Sequence, residues 1–576
     1  MKLIFKYLKN YKGLLVLNLI SICGFALVEL GIPTVMSKVI DKGIINSDEN
    51  YIKRMGLVIV LISLIGVTGT IISGFCSAKV STGLTRDVRN DIFKKVQKYS
   101  HTEYNKFGVS SMITRTTNDA FVLLQFTNTL LRMALLTPIM FIVSFVMILK
   151  TNVKLSLVLV VSIPIIVVGV LVIAKISQPL SERQQKNLDK LNRISRENLT
   201  GIRVIRAFGN DNYEGERFAG TNNEYANVSK KLNKLMSISQ PAFFFLLNIG
   251  IIIIFLISSK MINLGELQVG QLVAFIEYLF HAMFSIMLFS LVFIMYPRAQ
   301  VSANRIDELL KEEPTIKNPE NGVKETEVRG KIEFENVTFA YPNGEESVLK
   351  NISFIANKGE TIAFIGSTGS GKSSLINLIP RFYDVTKGSI RVNGVDVRDY
   401  DLHALRKKIG FIPQKSVLFT GSIANNIRFG KKNADTGEVE YSAKIAEAYD
   451  FISKKPKQFN ELISEGASNV SGGQKQRLSI ARALVRKPEI YVFDDSFSAL
   501  DFKTDAKLRK RLKQETKESV VLIVAQRIES IMDADKIIVI NEGRVVGMGK
   551  HKELLKTCEI YHEIASSQLS EEELAK

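Results

Sequence analysis

A chain of 576 residues is too long for a single hydrophobic core, and 46% of it is apolar, with the apolar runs crowded ahead of about residue 297, a distribution that excludes an ordinary soluble protein. The formal net charge of +19 admits nucleic acid, an acidic surface or anionic lipid as partner, and the apolar runs favour lipid over nucleic acid. The three cysteines, Cys23, Cys76 and Cys558, offer no pairing, zinc spacing or CxxC, and act as small apolar fillers.

At the N-terminus Lys2, Lys6, Lys9 and Lys12 precede an apolar run, the pattern of a signal peptide, but more spans follow and no small-residue cleavage site is evident. The run is therefore expected to be an uncleaved first span. A membrane helix needs about 20 mostly apolar residues. Six windows qualify, near 14–35, 55–77, 130–149, 155–176, 242–259 and 272–296. The connections between them alternate in length, about 20, 50, 5, 65 and 12 residues in order.

The two long connections, residues 78–129 and 177–241, are rich in Lys and Arg, from Lys79 and Arg86 to Lys234, which places them and both termini on the cytoplasmic side of a cell membrane. Their apolar residues, such as Leu84, Val88, Ile92 and Val96, recur at helical steps. The spans are thus expected to continue out of the bilayer as helices; 25 residues of extension reach roughly 35 to 40 Å. Inside the windows Glu29, Glu277 and His281 are costly in lipid, so they are candidate cavity or substrate contacts. Glu277 and His281, four apart, share a helix face.

Residues 311–330 are charged, carry two prolines and almost no large apolar residue, and are expected to be a linker between a membrane domain over 1–310 and a second domain over 331–576. From Lys331 short β-branched runs alternate with helical stretches, an α/β pattern. After a strand at Thr361 to Ile365 comes a full GxxxxGK[ST] loop, Gly366, Ser367, Thr368, Gly369, Ser370, Gly371, Lys372 and Ser373, followed by Ser374 and a helix. Glycines let backbone N–H groups approach phosphate, Lys372 supplies a cation to the β and γ phosphates, and the Ser373 hydroxyl suits Mg²⁺. Further on, an apolar strand ends in Asp494, an acid able to hold the magnesium shell. ATP and Mg²⁺ are the expected ligands.

Between these elements stands Ser471, Gly472, Gly473, Gln474. With the phosphate loop, the six spans and the two long excursions, this block makes nearly the whole chain resemble an ABC exporter half-transporter: an all-α six-helix membrane domain fused to an α/β ATPase. The resemblance implies that Tyr341 stacks on adenine, that Gln414 is the glutamine contacting Mg²⁺ and the membrane helices, and that Asp501 belongs to the D-loop. It implies a dimer in which each ATP lies between one chain's phosphate loop and the other's signature block. Segments near Thr117 to Leu124 and Phe208 to Phe218 resemble the short coupling helices at the tips of the excursions.

Two positions depart from the family. Its hydrolysing sites carry Glu after the strand acid, and this chain has Asp495; its second actor is a histidine, and this chain has Gln526. A carboxylate withdrawn by about 1 Å costs on the order of a hundredfold in rate, and Gln cannot carry the charge of His. The resemblance thus implies a site that binds ATP and hydrolyses it slowly, in a heterodimer whose partner supplies the missing groups, like bacterial heterodimeric multidrug exporters. The expected cargo is hydrophobic or amphipathic small molecules. The alternatives are a lipid, peptide or tetrapyrrole exporter, a homodimer in which Asp495 and Gln526 suffice, and a regulatory ATP sensor.

Overall fold

The computed structural model describes residues 1–342 and 344–570, so the last six residues of the expected second domain lie outside the described residues. The chain divides into two compact units, one of Met1–Gln97 with Val109–Glu312, the other of Lys98–Gly108 with Glu313–Lys576.

The first unit is all-α. Among the described residues six helical rods are long and apolar enough to cross a membrane, Lys2–Ile44, Glu49–Val96, Val109–Thr151, Val153–Phe208, Asp211–Asn263 and Val269–Lys311. The second has 48 residues, about 72 Å at 1.5 Å per residue, more than twice a hydrocarbon core of about 30 Å. Local chemistry sets the ends. Asp48 accepts the Tyr51 N–H at 2.9 Å, and Asn152 those of Lys154 and Leu155 at 2.9 and 3.1 Å, satisfying amides that begin helices. Gly209, at φ 64°, stops the fourth rod in a left-handed cap that turns the chain into the fifth.

Polar contacts tie the rods where their apolar faces cannot choose a register. Asn18 donates to the Leu131 carbonyl at 3.0 Å and accepts from Ser73 at 2.9 Å, joining the first three spans. Arg115 donates to Glu308 at 2.9 Å and to the Arg305 carbonyl at 2.8 Å, while Ser302 donates to Asp119 at 2.9 Å, clasping the third to the sixth.

The second unit is α/β. Its strands are β1 (Lys331–Phe339), β2 (Leu349–Asn357), β3 (Thr361–Ile365), β4 (Lys387–Val392), β5 (Val395–Asp396), β6 (Ile409–Ile412), β7 (Gly421–Ser422), β8 (Leu462–Ile463), β9 (Ile490–Asp494), β10 (Val520–Val524), β11 (Lys536–Asn541) and β12 (Arg544–Gly549). One sheet runs β2-β1-β4-β5 and is antiparallel; the main sheet runs β12-β11-β3-β10-β9-β6, parallel except for the β11–β12 edge pair. β9 and β10 are buried along their full length, as strands covered on both faces must be.

Two expectations change here. The stretch expected as a linker is tied into the second unit: Val323 N donates to Asp399 O at 2.9 Å, Asp401 N donates back to Val323 O at 3.1 Å, and Leu402 N donates to Asn318 Oδ1 at 2.7 Å. The first short helix of the excursions is not at Thr117 to Leu124, which lies inside the third rod, but at His101–Phe107. Ser100 and Glu103 form its capping box, and the second Glu103 oxygen takes the N–H of Thr315 at 3.1 Å, so the segment joins the second unit and interrupts the expected 1–310 domain. The second expected turn, Phe208 to Phe218, contains the Gly209 cap between the fourth and fifth rods.

Candidate functional site

The order of the main sheet assembles the site. β3, β10, β9 and β6 are consecutive parallel neighbours, with Phe364 level with Val524, Val524 with Asp494, and Phe493 with Ile412. Their carboxyl ends therefore release the Gly366–Ser373 loop, Gln526, Asp495 and Gln414 along one edge, the place where open α/β sheets hold ligands.

The loop cannot carry side chains at its close approaches. A Cβ on Gly366 would lie 1.9 Å from the Ile540 carbonyl oxygen, and one on Gly371 2.8 Å from Leu349; Gly371 and Gly369 hold φ of 99° and 84°. Lys372 turns its ammonium into the loop, donating to the carbonyls of Gly366 and Ser367 at 2.9 and 2.8 Å. Burial lowers its pKa, and the carboxylates of Asp495 and Asp494 offset part of that. Ser373 Oγ donates to Asp494 Oδ1 at 2.8 Å. Tyr341 stands edge-on to Tyr383 with centroids 5.2 Å apart, and its hydroxyl lies 2.8 Å from Ser374 Oγ.

Asp494 and Asp495 are both buried, and burial pushes both pKa values up, against the hydrogen bonds of Ser373 on one and Gln414 and Ser498 on the other. Two adjacent buried carboxyls beside a serine hydroxyl form a hard oxygen set that fits a magnesium ion brought with ATP. Among the described residues no group of three or more His, Cys, Asp or Glu is placed to hold a metal ion.

Asp495 is the focus of the edge. Its Oδ2 accepts Nε2 of Gln526 at 2.9 Å and Nε2 of Gln414 at 3.3 Å. Its backbone holds φ 46°, a left-handed conformation that Asp tolerates better than most residues.

Ser471, Gly472, Gly473 and Gln474 open the helix Gly472–Leu484 with a capping box: Gln474 N donates to Ser471 Oγ at 3.3 Å and Ser471 N donates to Gln474 Oε1 at 3.1 Å. Ser471 and Gly472 are exposed, and the four form no hydrogen bond to the phosphate loop among the described residues. Asp501 caps the next helix by accepting the Thr504 N–H at 3.0 Å.

In the first unit, His281 does not pair with Glu277, its neighbour one turn away. Its Nε2 lies 3.9 Å from Glu29 on the first span, while Glu277 is exposed. Sequence reasoning passed over Arg132, an exposed cation inside the third rod. The signal was present: one charge in an otherwise apolar window. It also passed over His101, whose ring lies 4.7 Å from Phe382 and 5.7 Å from Tyr383, because only the fold brings those rings together.

A family model for the ABC transporter transmembrane region matches residues 15–287, and one for the ABC transporter matches residues 349–498. The chain is 36% identical to an ABC transporter ATP-binding protein of Bacillus subtilis, over 98% of both chains. A Mycobacterium tuberculosis protein of the same description is 35% identical over 98% of this chain and 97% of its own. A Haemophilus influenzae protein named ATP-dependent lipid A-core flippase is 31% identical over 99% and 97%. The solved structure of a bacterial Atm1-family ABC exporter with ATP bound overlays with a TM-score of 0.80, at 24% identity and 98% coverage of both chains, and shows the same fold.

Proposed function

This chain belongs to the ABC transporter family, and we propose that it is one half of an ATP-driven exporter of hydrophobic or amphipathic compounds, which binds ATP at Gly366–Ser374 and hydrolyses it slowly. It lies in the cell membrane as a multi-pass protein, with both termini and the ATPase domain cytoplasmic, as the basic excursions favour.

The observation that carries the reading is the double engagement of Asp495 Oδ2 by Gln414 and Gln526. The oxygen that would accept a proton from water already accepts two amides, on a side chain one methylene shorter than Glu. Neither amide can take up or release that proton. When bound, ATP with Mg²⁺ supplies the phosphoryl group and the charge that Lys372, Ser373 and Asp494 are arranged to meet. The exposed Ser471 and Gly472 at this helix start favour service to a second nucleotide-binding chain rather than to its own loop.

A second half-transporter, different from this chain, is the favoured partner. Leu199 and Phe208, 80% and 76% exposed near the turn between the fourth and fifth rods, give it an apolar surface to meet. The flippase relative supports an amphipathic cargo, and the Glu29–His281 pair supplies polar groups inside the spans to meet one.

One observation favours a homodimer: burial raises the Asp495 pKa and so makes it a stronger base than an ordinary Asp. Purification in mild detergent separates the two, since a second ABC half-transporter is expected to accompany the chain and a fully active homodimer overturns the asymmetric reading. Asp495→Glu together with Gln526→His is expected to raise ATPase turnover at this site by about ten- to a hundredfold. An unchanged rate would show that hydrolysis is limited elsewhere.

A further inference from the structure

The chain begins with a short helix, Lys2–Leu8, whose two faces have opposite fates. Leu3, Ile4, Tyr7 and Leu8 are buried, whereas Lys2, Phe5, Lys6 and Lys9 are exposed. At 100° per residue those four fall on one side of the helix, and Lys12 comes next, where the first span starts. Phe5 is 57% exposed.

Apart from Lys6, whose ammonium stands 5.9 Å from the centroid of the Tyr7 ring, the lysines take no part in the contacts that hold the helix. Tyr7 donates its hydroxyl to Asp91 at 2.6 Å, Tyr11 donates to Asp87 at 2.7 Å, and the Met1 ammonium donates to Gln300 Oε1 at 2.9 Å. A Cβ on Gly83 would lie 2.5 Å from the Tyr11 hydroxyl, so the second rod accepts Tyr11 only where it has no side chain. Asp87 is further engaged by Arg86 at 2.8 Å. Asp91 and Asp87 are thus engaged by tyrosines and an arginine, and Asp307, which lines a small cavity with Lys2, pairs with Lys311 at 2.6 Å. Among the described residues Lys2, Lys6, Lys9 and Lys12 form no ion pair, and no acid occurs in the first 28 residues.

The first span fixes the depth of this helix. Val16, Leu17, Leu19 and Ile20 are all exposed large apolar residues. Fewer than two turns separate Lys12 from this surface, so Lys6, Lys9 and Lys12 lie where an apolar span leaves the hydrocarbon, with Phe5 directed to the same boundary.

We propose that this face is a binding site for anionic phospholipid headgroups of the bilayer, with the phosphates held by Lys2, Lys6, Lys9 and Lys12 and Phe5 inserted among the acyl chains. The match is one of charge: four unneutralised cations in eleven residues against a headgroup layer that carries the opposite sign.

The chain has no tryptophan, so Phe5→Trp gives a single fluorescent reporter. The full chain is placed in nanodiscs of mixed phosphatidylcholine and phosphatidylglycerol, with bromine carried by one lipid or the other at equal density. Quenching is expected to be stronger when phosphatidylglycerol carries the bromine. Each lysine replaced by Gln is expected to lower that preference by up to about fivefold at low salt, and high salt should abolish it. Equal quenching by both lipids overturns the proposal, as does a preference that survives the fourfold Gln variant.

A second measurement needs no reporter. Lipid retained by the purified chain is expected to be enriched in phosphatidylglycerol over the bulk membrane and to lose that enrichment in the fourfold variant. No enrichment in the unaltered chain also overturns the proposal.

Discussion

Asp495 shows how one methylene and one neighbour combine. Its short side chain and the Gln526 amide meet at 2.9 Å, so each substitution fits the other. Changing Asp495 to Glu alone would thrust a longer carboxylate at Gln526 and place Glu at a φ of 46°, which it tolerates less well. The single variant is therefore expected to gain less ATPase activity than the pair with Gln526→His, measured as phosphate release at saturating ATP. Gly366 answers to packing instead. With 1.9 Å between an added Cβ and the Ile540 carbonyl oxygen, Gly366→Ala must shift β3 against β11. A loss of about 2 kcal/mol or more in the stability of the ATPase domain is expected, with weakened ATP binding, by denaturant titration and nucleotide fluorescence.

At the scale of elements, the helix His101–Phe107 is fastened by one carboxylate. Burial pushes the Glu103 pKa up, but hydrogen bonds from Ser100 and Thr315 outweigh it and hold the group below the ordinary glutamate range. A depressed folded pKa means the stabilisation is complete above the unfolded pKa and is lost as pH falls through the folded value. Protection of the His101–Phe107 amides from hydrogen exchange is therefore expected to fall as pH drops below about 4, and Glu103→Ala is expected to remove that dependence. The same helix carries His101 against Tyr383, which meets Tyr341 edge-on, whose hydroxyl reaches Ser374 beside the phosphate loop. These contacts link the His101–Phe107 helix to the residue that follows the Gly366–Ser373 loop, within one packed unit. ATP affinities of His101→Ala, Tyr341→Ala and the double variant are expected to be non-additive by about 0.5 kcal/mol or more; strict additivity would break the chain of contacts.

For the whole molecule, Leu199 and Phe208 present an apolar tip with little to cover it in one chain. If the proposed pairing holds, Leu199→Ser with Phe208→Ser is expected to leave ATP binding intact while lowering recovery of the proposed partner half-transporter and the ATP dependence of transport. Co-purification and efflux of a dye panel measure the two effects. Thermal unfolding of the ATPase domain should be unchanged, since neither residue belongs to that unit.

Much of this was legible in the sequence because it is written in local patterns. Apolar runs of about 20 residues must cross a membrane as helices, whatever else the chain does. A glycine loop between a strand and a helix carries its own phosphate chemistry, and so the Gly366–Ser373 loop needed no long-range information. What sequence could not supply was adjacency. Gln414 and Gln526, 112 positions apart, meet on one oxygen of Asp495 because β6, β9 and β10 are neighbours in a parallel sheet. Nothing in the spacing of Glu277 and His281 revealed that the histidine would turn to Glu29 on another span. The first excursion's short helix is found at His101–Phe107 rather than near Thr117 to Leu124 because Thr315, from far along the chain, shares its capping carboxylate. The sequence by itself determined the membrane rods, the phosphate loop and the two departures at Asp495 and Gln526, since each depends on residues within one turn or one strand. Tertiary structure alone decided which of these groups touch, because a hydrogen bond is made at about 3 Å and chain spacing says nothing at that distance.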